Sequence, residues 1–529
     1  MHNFFLDTNE GNTPNKQPPV KRLLGWVHQK AIVEQLLNVP GYIFFTAAAV
    51  FLGLLAGYGG FTLSILALAG LIGAPVMMAS VFNLRFGVLL LFVLMFTALQ
   101  VKRIIPALPI GISFDAVTAA LLFGLIIQQS RQRDWSFLKT PVSYGVLIWL
   151  AYTAFLFFNP NAASRMAYIY TVRSFAGLMV FYFILLYTLT KPQFMKQLLF
   201  VWLFFGFLGA LYGLFQDIFG LRQWEWQWLL QDYERFRRYA QFGNIKKWSF
   251  FSDPMVFGIL CSITAVASLF MMGIFKHIAF KALALIAAVI FFAAMVTSGT
   301  RAAYVLPIAA LGLYIIMQGS IRAIMLAAAA GIIGLSVIYM PTSNERFMQF
   351  QSAFRPGEDA SYDVRERNQA YIQPFIQNNP LGGGLGSTGN WGLRFSPNSP
   401  LAQFPPDSGF VRTAVEAGWM GLLLYCLLLA LVMFEGIRNY FRIRDPVLRQ
   451  YQLLFLSVIF MLIIANFPQE AINSPPINAI FYLSIAAISK IKSFDVLPEE
   501  EVDSATEDAT EANDSDREYS TMPVPQGRF

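Results

Sequence analysis

The chain has little cysteine, little histidine and little charge. Of 529 residues, two are cysteine, three are histidine and 13% are charged. Cys261 and Cys426 both lie in apolar runs, so neither a disulfide framework nor a Cys/His metal cluster can be assembled. A soluble chain of this length needs far more charge to cover its surface. Hydrophobic residues take up the space instead, at 56% of the chain, with a mean hydropathy of +0.53. Apolar runs recur from about residue 41 to residue 490, each near the roughly 20 residues a helix needs to cross hydrocarbon. Lipid offers backbone N–H and C=O groups no partners, so such runs must be helices. The expected fold class is an all-α polytopic membrane protein.

Fourteen helices are expected, near 41–58, 61–82, 86–100, 113–128, 142–158, 170–190, 196–219, 254–275, 278–297, 302–318, 321–340, 408–434, 452–468 and 474–490. Those at 86–100, 113–128 and 302–318 are short, as tilted or re-entrant helices are, and the expected bundle has about twelve to fourteen transmembrane helices. Short-loop Lys and Arg stay cytoplasmic. With the N-terminus inside, short inner loops hold thirteen basic residues between Arg85 and Arg449. Short outer loops then hold only Lys102, Arg103, Arg165 and Arg301. Both termini are therefore expected inside, with two long loops, 220–253 and 341–407, outside. The polar start, 1–40, has no signal-peptide pattern, so no cleavage is expected.

The net charge of +7 conceals an asymmetry. From Asp495 to Glu518 there are 11 acidic residues, and removing the tail leaves 36 basic against 20 acidic. Residues 494–529 read as a disordered, solvated cytoplasmic tail behind a membrane domain spanning 41–493. The loop at 220–253 mixes Trp224, Trp226, Trp228, Tyr233, Phe236 and Tyr239 with Arg235, Arg237 and Arg238. That mixture suits a segment lying along the headgroup region.

Several ionisable groups collect at outer helix ends. Arg173 lies just inside the sixth helix, and Arg301 closes the tight turn Ser298-Gly299-Thr300-Arg301. Arg365 and Arg367 lie in the large outer loop, and Arg412 follows Asp407 by about one turn. Charges at membrane depth are costly and face a cavity or a partner. Arginine suits phosphate, because its planar fork donates two parallel bonds and keeps its charge. Converging arginines would hold a diphosphate and stabilise it as a leaving group. The stretch Asn379-Pro380-Leu381-Gly382-Gly383-Gly384-Leu385-Gly386 permits positive φ and close backbone approach. Gly383 and Gly384 could therefore line a sugar or phosphate, or simply form a turn. Asp407 or Ser408 is placed to cap the next helix. Glu416, two turns deeper on an apolar helix, needs a partner or a job.

Taken together these motifs resemble the bacterial O-antigen ligase and O-antigen polymerase superfamily. They are Phe251-Ser252-Asp253-Pro254, Ser298-Gly299-Thr300-Arg301, Arg365 fourteen residues before Asn379-Pro380-Leu381-Gly382, and Asp407-Ser408 followed by Gly418 and Gly421. The resemblance spans roughly 165–490. It implies a GT-C-like bundle with a large helical periplasmic loop, working at the inner membrane's periplasmic face without metal or cofactor. Such enzymes transfer glycan from undecaprenyl diphosphate to an acceptor hydroxyl. Ligases use lipid A-core as acceptor, and polymerases use another lipid-linked repeat unit. Nucleic acid is not an expected partner. Arg173, Arg301 and Arg365 occupy the positions of diphosphate-binding arginines, with Arg367, Arg412, Glu416, Gly383 and Gly384 as secondary candidates.

One departure stands out. Ligases of the family carry a histidine where this chain has Asp407, and His2, His28 and His277 are all expected inside. An outer carboxylate must then serve as any general base, and Asp407 is the candidate. Alternatively, Asp407 only orients the acceptor. A transporter or flippase of the same lipid-linked sugars is the competing reading, although no internal repeat supports it. A scaffold acting through its acidic tail is the third, and it leaves the outer arginines unexplained.

Overall fold

The computed structural model describes residues 46, 47, 50, 53, 70, 71, 73–105, 110–241, 244–342, 351, 354 and 360–495. The chain divides into two units, 1–76 and 77–529. Every described residue of the first unit is helical. The expected span 41–58 lies largely outside the described residues, as do the start 1–40, most of 343–359 and the acidic tail beyond Asp495. Of the expected helix 61–82, the end is described, as the helix Gly73–Phe82.

The second unit is helical almost throughout. Its first four long helices are α1 (Leu84–Ile104), α2 (Ile110–Gln132), α3 (Pro141–Phe155) and α4 (Arg165–Thr188), followed by α5 (Pro192–Phe219). Then come two short helices, α6 (Gln223–Leu230) and α7 (Tyr233–Tyr239), and a hairpin, β1 (Ala240–Gln241) with β2 (Asn244–Ile245). The long helices resume with α8 (Pro254–Ile274), α9 (Ile278–Thr297), α10 (Arg301–Gln318) and α11 (Ile321–Tyr339). After α12 (Ala360–Asn378), α13 (Gly389–Phe395) and α14 (Pro400–Gln403), the chain ends on α15 (Gly409–Arg442), α16 (Pro446–Ala465) and α17 (Ile477–Lys490).

Local chemistry sets several of these boundaries. The side chains of Asn83, Thr140, Ser164, Asp253 and Asp445 accept from the first free N–H groups of α1, α3, α4, α8 and α16. Proline opens α3, α5, α8 and α16, where its missing N–H costs nothing. Among the described residues, eleven helices are long and apolar enough to cross a membrane. The runs expected to be short extend to 21, 22 and 18 residues. Their polar ends, such as Lys102 and Gln128, fall within the last turns, where they can reach out of the apolar zone.

Three helices form the centre. The most apolar window of α8 is 83% buried, against 67% for α16 and 72% for the last span. Helix α8 tolerates this because its hydroxyls are satisfied internally. Ser262 donates to the Ala303 carbonyl at 3.0 Å, and Thr264 accepts from the Trp202 indole at 2.9 Å.

Contacts sort the loops into two ends. At one, Arg85 donates to Thr190 at 2.7 Å, and the Arg444 amide donates to Asp495 at 2.7 Å. At the other, Arg103 donates to the Ser252 carbonyl at 2.7 Å, and Asn161 donates to Asn379 at 2.9 Å. Residues 220–253 at this second end form a small folded cap. Trp248, Leu229 and Tyr239 make its core, and buried Glu225 accepts from Tyr212 at 2.9 Å and Gln216 at 2.6 Å. The guanidinium groups of Arg103 and Arg235 lie 4.4 and 4.2 Å from the Trp228 ring centre, a cation–π arrangement. Within this loop Arg235 stacks on Trp228, while Trp226 and Tyr233 stay exposed.

Candidate active site

Helix α15 carries the residues around which the site is built. Its cap is Ser408, whose hydroxyl accepts from the Val411 amide. Asp407 is thereby released from capping, and its carboxylate accepts from the Asn368 side chain of α12 at 3.2 Å. Arg365 lies three residues before Asn368, so the two are neighbours on one helix surface.

The 34 residues of α15 do not form one continuous helix. Gly418 interrupts it with φ 74° and ψ 176°. Only glycine visits such a conformation cheaply. The Gly-rich stretch fills the interruption. Gly383 donates to the Val415 carbonyl at 2.8 Å, and Asn159 donates to the carbonyls of Leu381 and Gly382 at 2.9 and 3.0 Å. Gly382, Gly383, Gly384 and Gly386 are buried. A side chain on Gly382 would strike the backbone at Gly418, and one on Gly386 would strike Thr171 and Ala167 of α4. Gly383 and Gly384 therefore sit in a packed junction between α4 and α15. Asn159→Ala, which removes two donors to that junction, is expected to cost about 1–2 kcal/mol. Hydrogen exchange should show faster amide exchange across residues 380–388.

Glu416 has the partner its position demands. Its buried carboxylate accepts from the Gly386 amide at 3.0 Å, the Thr388 hydroxyl at 2.5 Å and Arg412 Nε at 3.1 Å. All three donors converge on one side chain and fix its orientation. Arg412 makes a second ion pair, donating to Glu470 at 2.5 Å. Glu470 lies between α16 and α17, in a segment pinned against the start of α15. There the Gly409 amide donates to the carbonyls of Asn466 and Gln469 at 3.0 and 3.2 Å. Burial pushes the Glu470 carboxyl above its ordinary value; Arg412 opposes the rise, and the charges on Glu416 and Asp407 add to it. Glu470 was not singled out by the sequence. Its only signal there was being a lone carboxylate in a short outer loop.

The other expected arginines are placed differently. Arg301 is the first residue of α10, where the helix dipole adds to its positive charge. Next to it an open cavity of about 450 Å³ is lined by Ala302, Val305, Phe410, Ile463, Ile464, Phe467 and Pro468. This apolar space separates the start of α10 from the start of α15. Arg173 pairs with Asp115 of α2 at 3.3 Å and lies 5.7 Å from the Tyr170 ring centre. Tyr170 in turn packs on Trp391 and Phe395 of α13. Arg367 is exposed and donates to the Asp363 carbonyl of its own helix. The structure therefore gathers Asp407, Arg412, Glu416 and Glu470, leaves Arg365 on α12 one turn before Asn368, sets Arg301 across an apolar cavity, and engages Arg173 with Asp115. Among the described residues, no group of three His, Cys, Asp or Glu side chains is arranged to hold a metal ion.

Fold and site define an all-α polytopic membrane protein with a charged cluster on the loops and helix starts at one end. Residues 286–426 match the family model described as O-antigen ligase, and this match supports the O-antigen ligase/polymerase family for the chain. In general terms that is a membrane enzyme that ligates or polymerises glycan. The matched segment runs from α9 into α15. It contains Arg301, Arg365, Asp407, Arg412 and Glu416, and excludes Arg173 and Glu470. Comparison with curated proteins returns no match.

Proposed function

We propose that the protein transfers or polymerises glycan from undecaprenyl diphosphate onto an acceptor hydroxyl at the periplasmic face of the inner membrane. The observation that carries this reading is the junction of Asp407 with the Arg412–Glu416–Glu470 cluster at the start of α15, within or beside the family match. A carboxylate corner can receive an acceptor hydroxyl by hydrogen bonding. Arg301, carried at a helix N-terminus beside an apolar cavity, suits a diphosphate whose lipid chain lies alongside. Arg173, on its own helix and outside the match, is the third diphosphate-binding arginine of the proposal. Stabilising the departing diphosphate would then supply much of the rate without metal. The basic bias of the opposite loops supports periplasmic placement of this end, with both termini cytoplasmic.

Reconstitution of the full chain in liposomes tests the reading. The probe is undecaprenyl diphosphate–linked glycan extracted from the source cells, supplied with and without lipid A-core. A ladder of product lengths identifies a polymerase, and one discrete shift that requires lipid A-core identifies a ligase. Movement of the lipid across the bilayer with no new glycosidic bond would overturn the proposal in favour of a flippase.

A further inference from the structure

We propose that Glu470 is the group that takes the proton from the acceptor hydroxyl. This inference rests on the transferase reading above and names a residue outside the matched segment. It starts from how the three carboxylates of the cluster are engaged. Glu416 is spent: three donors already converge on it, from Gly386, Thr388 and Arg412. Its tasks are to hold the Gly-rich junction and to orient Arg412. Asp407 accepts from a neutral amide, the Asn368 side chain. Glu470 presents one oxygen, Oε2, to Arg412, and among the described residues its Oε1 receives no hydrogen bond. Its side chain keeps 22% of its surface exposed, so it is enclosed without being sealed.

Charge balance points the same way. Arg412 is ion-paired with both Glu416 and Glu470, and the charge of Asp407 acts on Glu470 as well, so like charges crowd this carboxylate. Adding one proton relieves that repulsion, and the group best placed to receive it is the enclosed one with a free oxygen. Burial, together with the charges of Glu416 and Asp407, raises the proton affinity of Glu470 against the pull of Arg412. A general base works best when its pKa approaches the working pH. Arg412 meanwhile fixes the orientation of the carboxylate through a charged hydrogen bond to Oε2.

The step balances as follows. The acceptor O–H bond breaks and its proton passes to Glu470 Oε1. The oxygen lone pair forms the bond to the anomeric carbon. The bond from that carbon to the diphosphate breaks, and its electron pair leaves with the diphosphate. Asp407, bordering the same corner, positions the hydroxyl.

The test uses the full chain in liposomes with the extracted undecaprenyl diphosphate–linked glycan, measuring initial rate against pH. Wild-type rate should rise with pH as Glu470 loses its proton, along a limb above the ordinary glutamate range. Glu470→Gln should lower kcat on the order of 100-fold, abolish that limb and leave donor KM within about threefold. Glu470→Ala should regain rate on addition of formate. A merely structural role would lower the rate equally at every pH, keep the limb and give no formate rescue; that result would overturn the assignment. If the Gln variant fails to insert, Glu470→Asp carries the test: a displaced limb supports the proposal and an unmoved limb overturns it. Wild-type protein that makes no product overturns the transferase reading itself, whereas wild-type product with an intact limb in Glu470→Gln overturns this assignment alone.

Discussion

Arg412→Ala is expected to destabilise the folded protein by about 3–5 kcal/mol, because removing one partner of a buried ion pair leaves its counter-charge uncompensated. Here two carboxylates lose their cation together. Glu416 is nearly sealed, at 5% side-chain exposure, and Glu470 is largely enclosed. The damage should also spread, since Glu416 holds the Gly386 amide and the Thr388 hydroxyl in place. Arg412→Lys should recover only part of the loss, because an ammonium cannot present the planar fork that reaches two carboxylates at once. Thermal unfolding of the detergent-purified protein measures the effect. An unchanged midpoint for Arg412→Ala would show that the cluster is not the clamp described above. Pairing the substitution with Glu416→Gln should cost less than the sum of the two single changes, as expected of residues in one network.

Gly418→Ala is the second large effect. The new methyl group would fall on the carbonyl of Pro380, and the residue would have to hold φ 74°. The dihedral alone costs on the order of 1–3 kcal/mol in a non-glycine residue. The contact adds to this, because the obstruction is backbone that can yield only by opening the junction. Gly220 supplies the control. It has φ 79°, and nothing lies within 4 Å of where its new methyl group would stand, so Gly220→Ala should cost the dihedral strain and no more. The gap between the two variants in thermal midpoint isolates the packing contribution. Equal shifts would mean that the Gly-rich stretch does not bear on α15.

The helices were legible because hydrocarbon imposes a length and forbids unpaired backbone, and both constraints are local in sequence. The boundaries at Asn83, Thr140, Asp253 and Asp445 follow from capping residues beside prolines or apolar runs. Charged candidates were legible as types in outer positions, but their partners were not. Glu416 meets groups 28 and 30 residues away, and Arg412 meets Glu470 across 58 residues. No periodicity encodes such pairings. Arg412 looked like a phosphate ligand in sequence and is found between two carboxylates. The glycine density at 382–386 signalled unusual backbone, yet nothing in sequence said that it answers a second unusual glycine, Gly418. The cap at 220–253 was read from composition alone, which cannot distinguish aromatics facing lipid from aromatics packed on each other.

The break at Gly418 divides the longest helix into arms of unequal purpose. Below it, residues 419–442 rise about 36 Å at 1.5 Å per residue, more than the roughly 30 Å of a bilayer's oily interior. The lower arm can therefore cross lipid unaided. The nine residues above it, 409–417, carry Arg412 and Glu416 and are relieved of that duty.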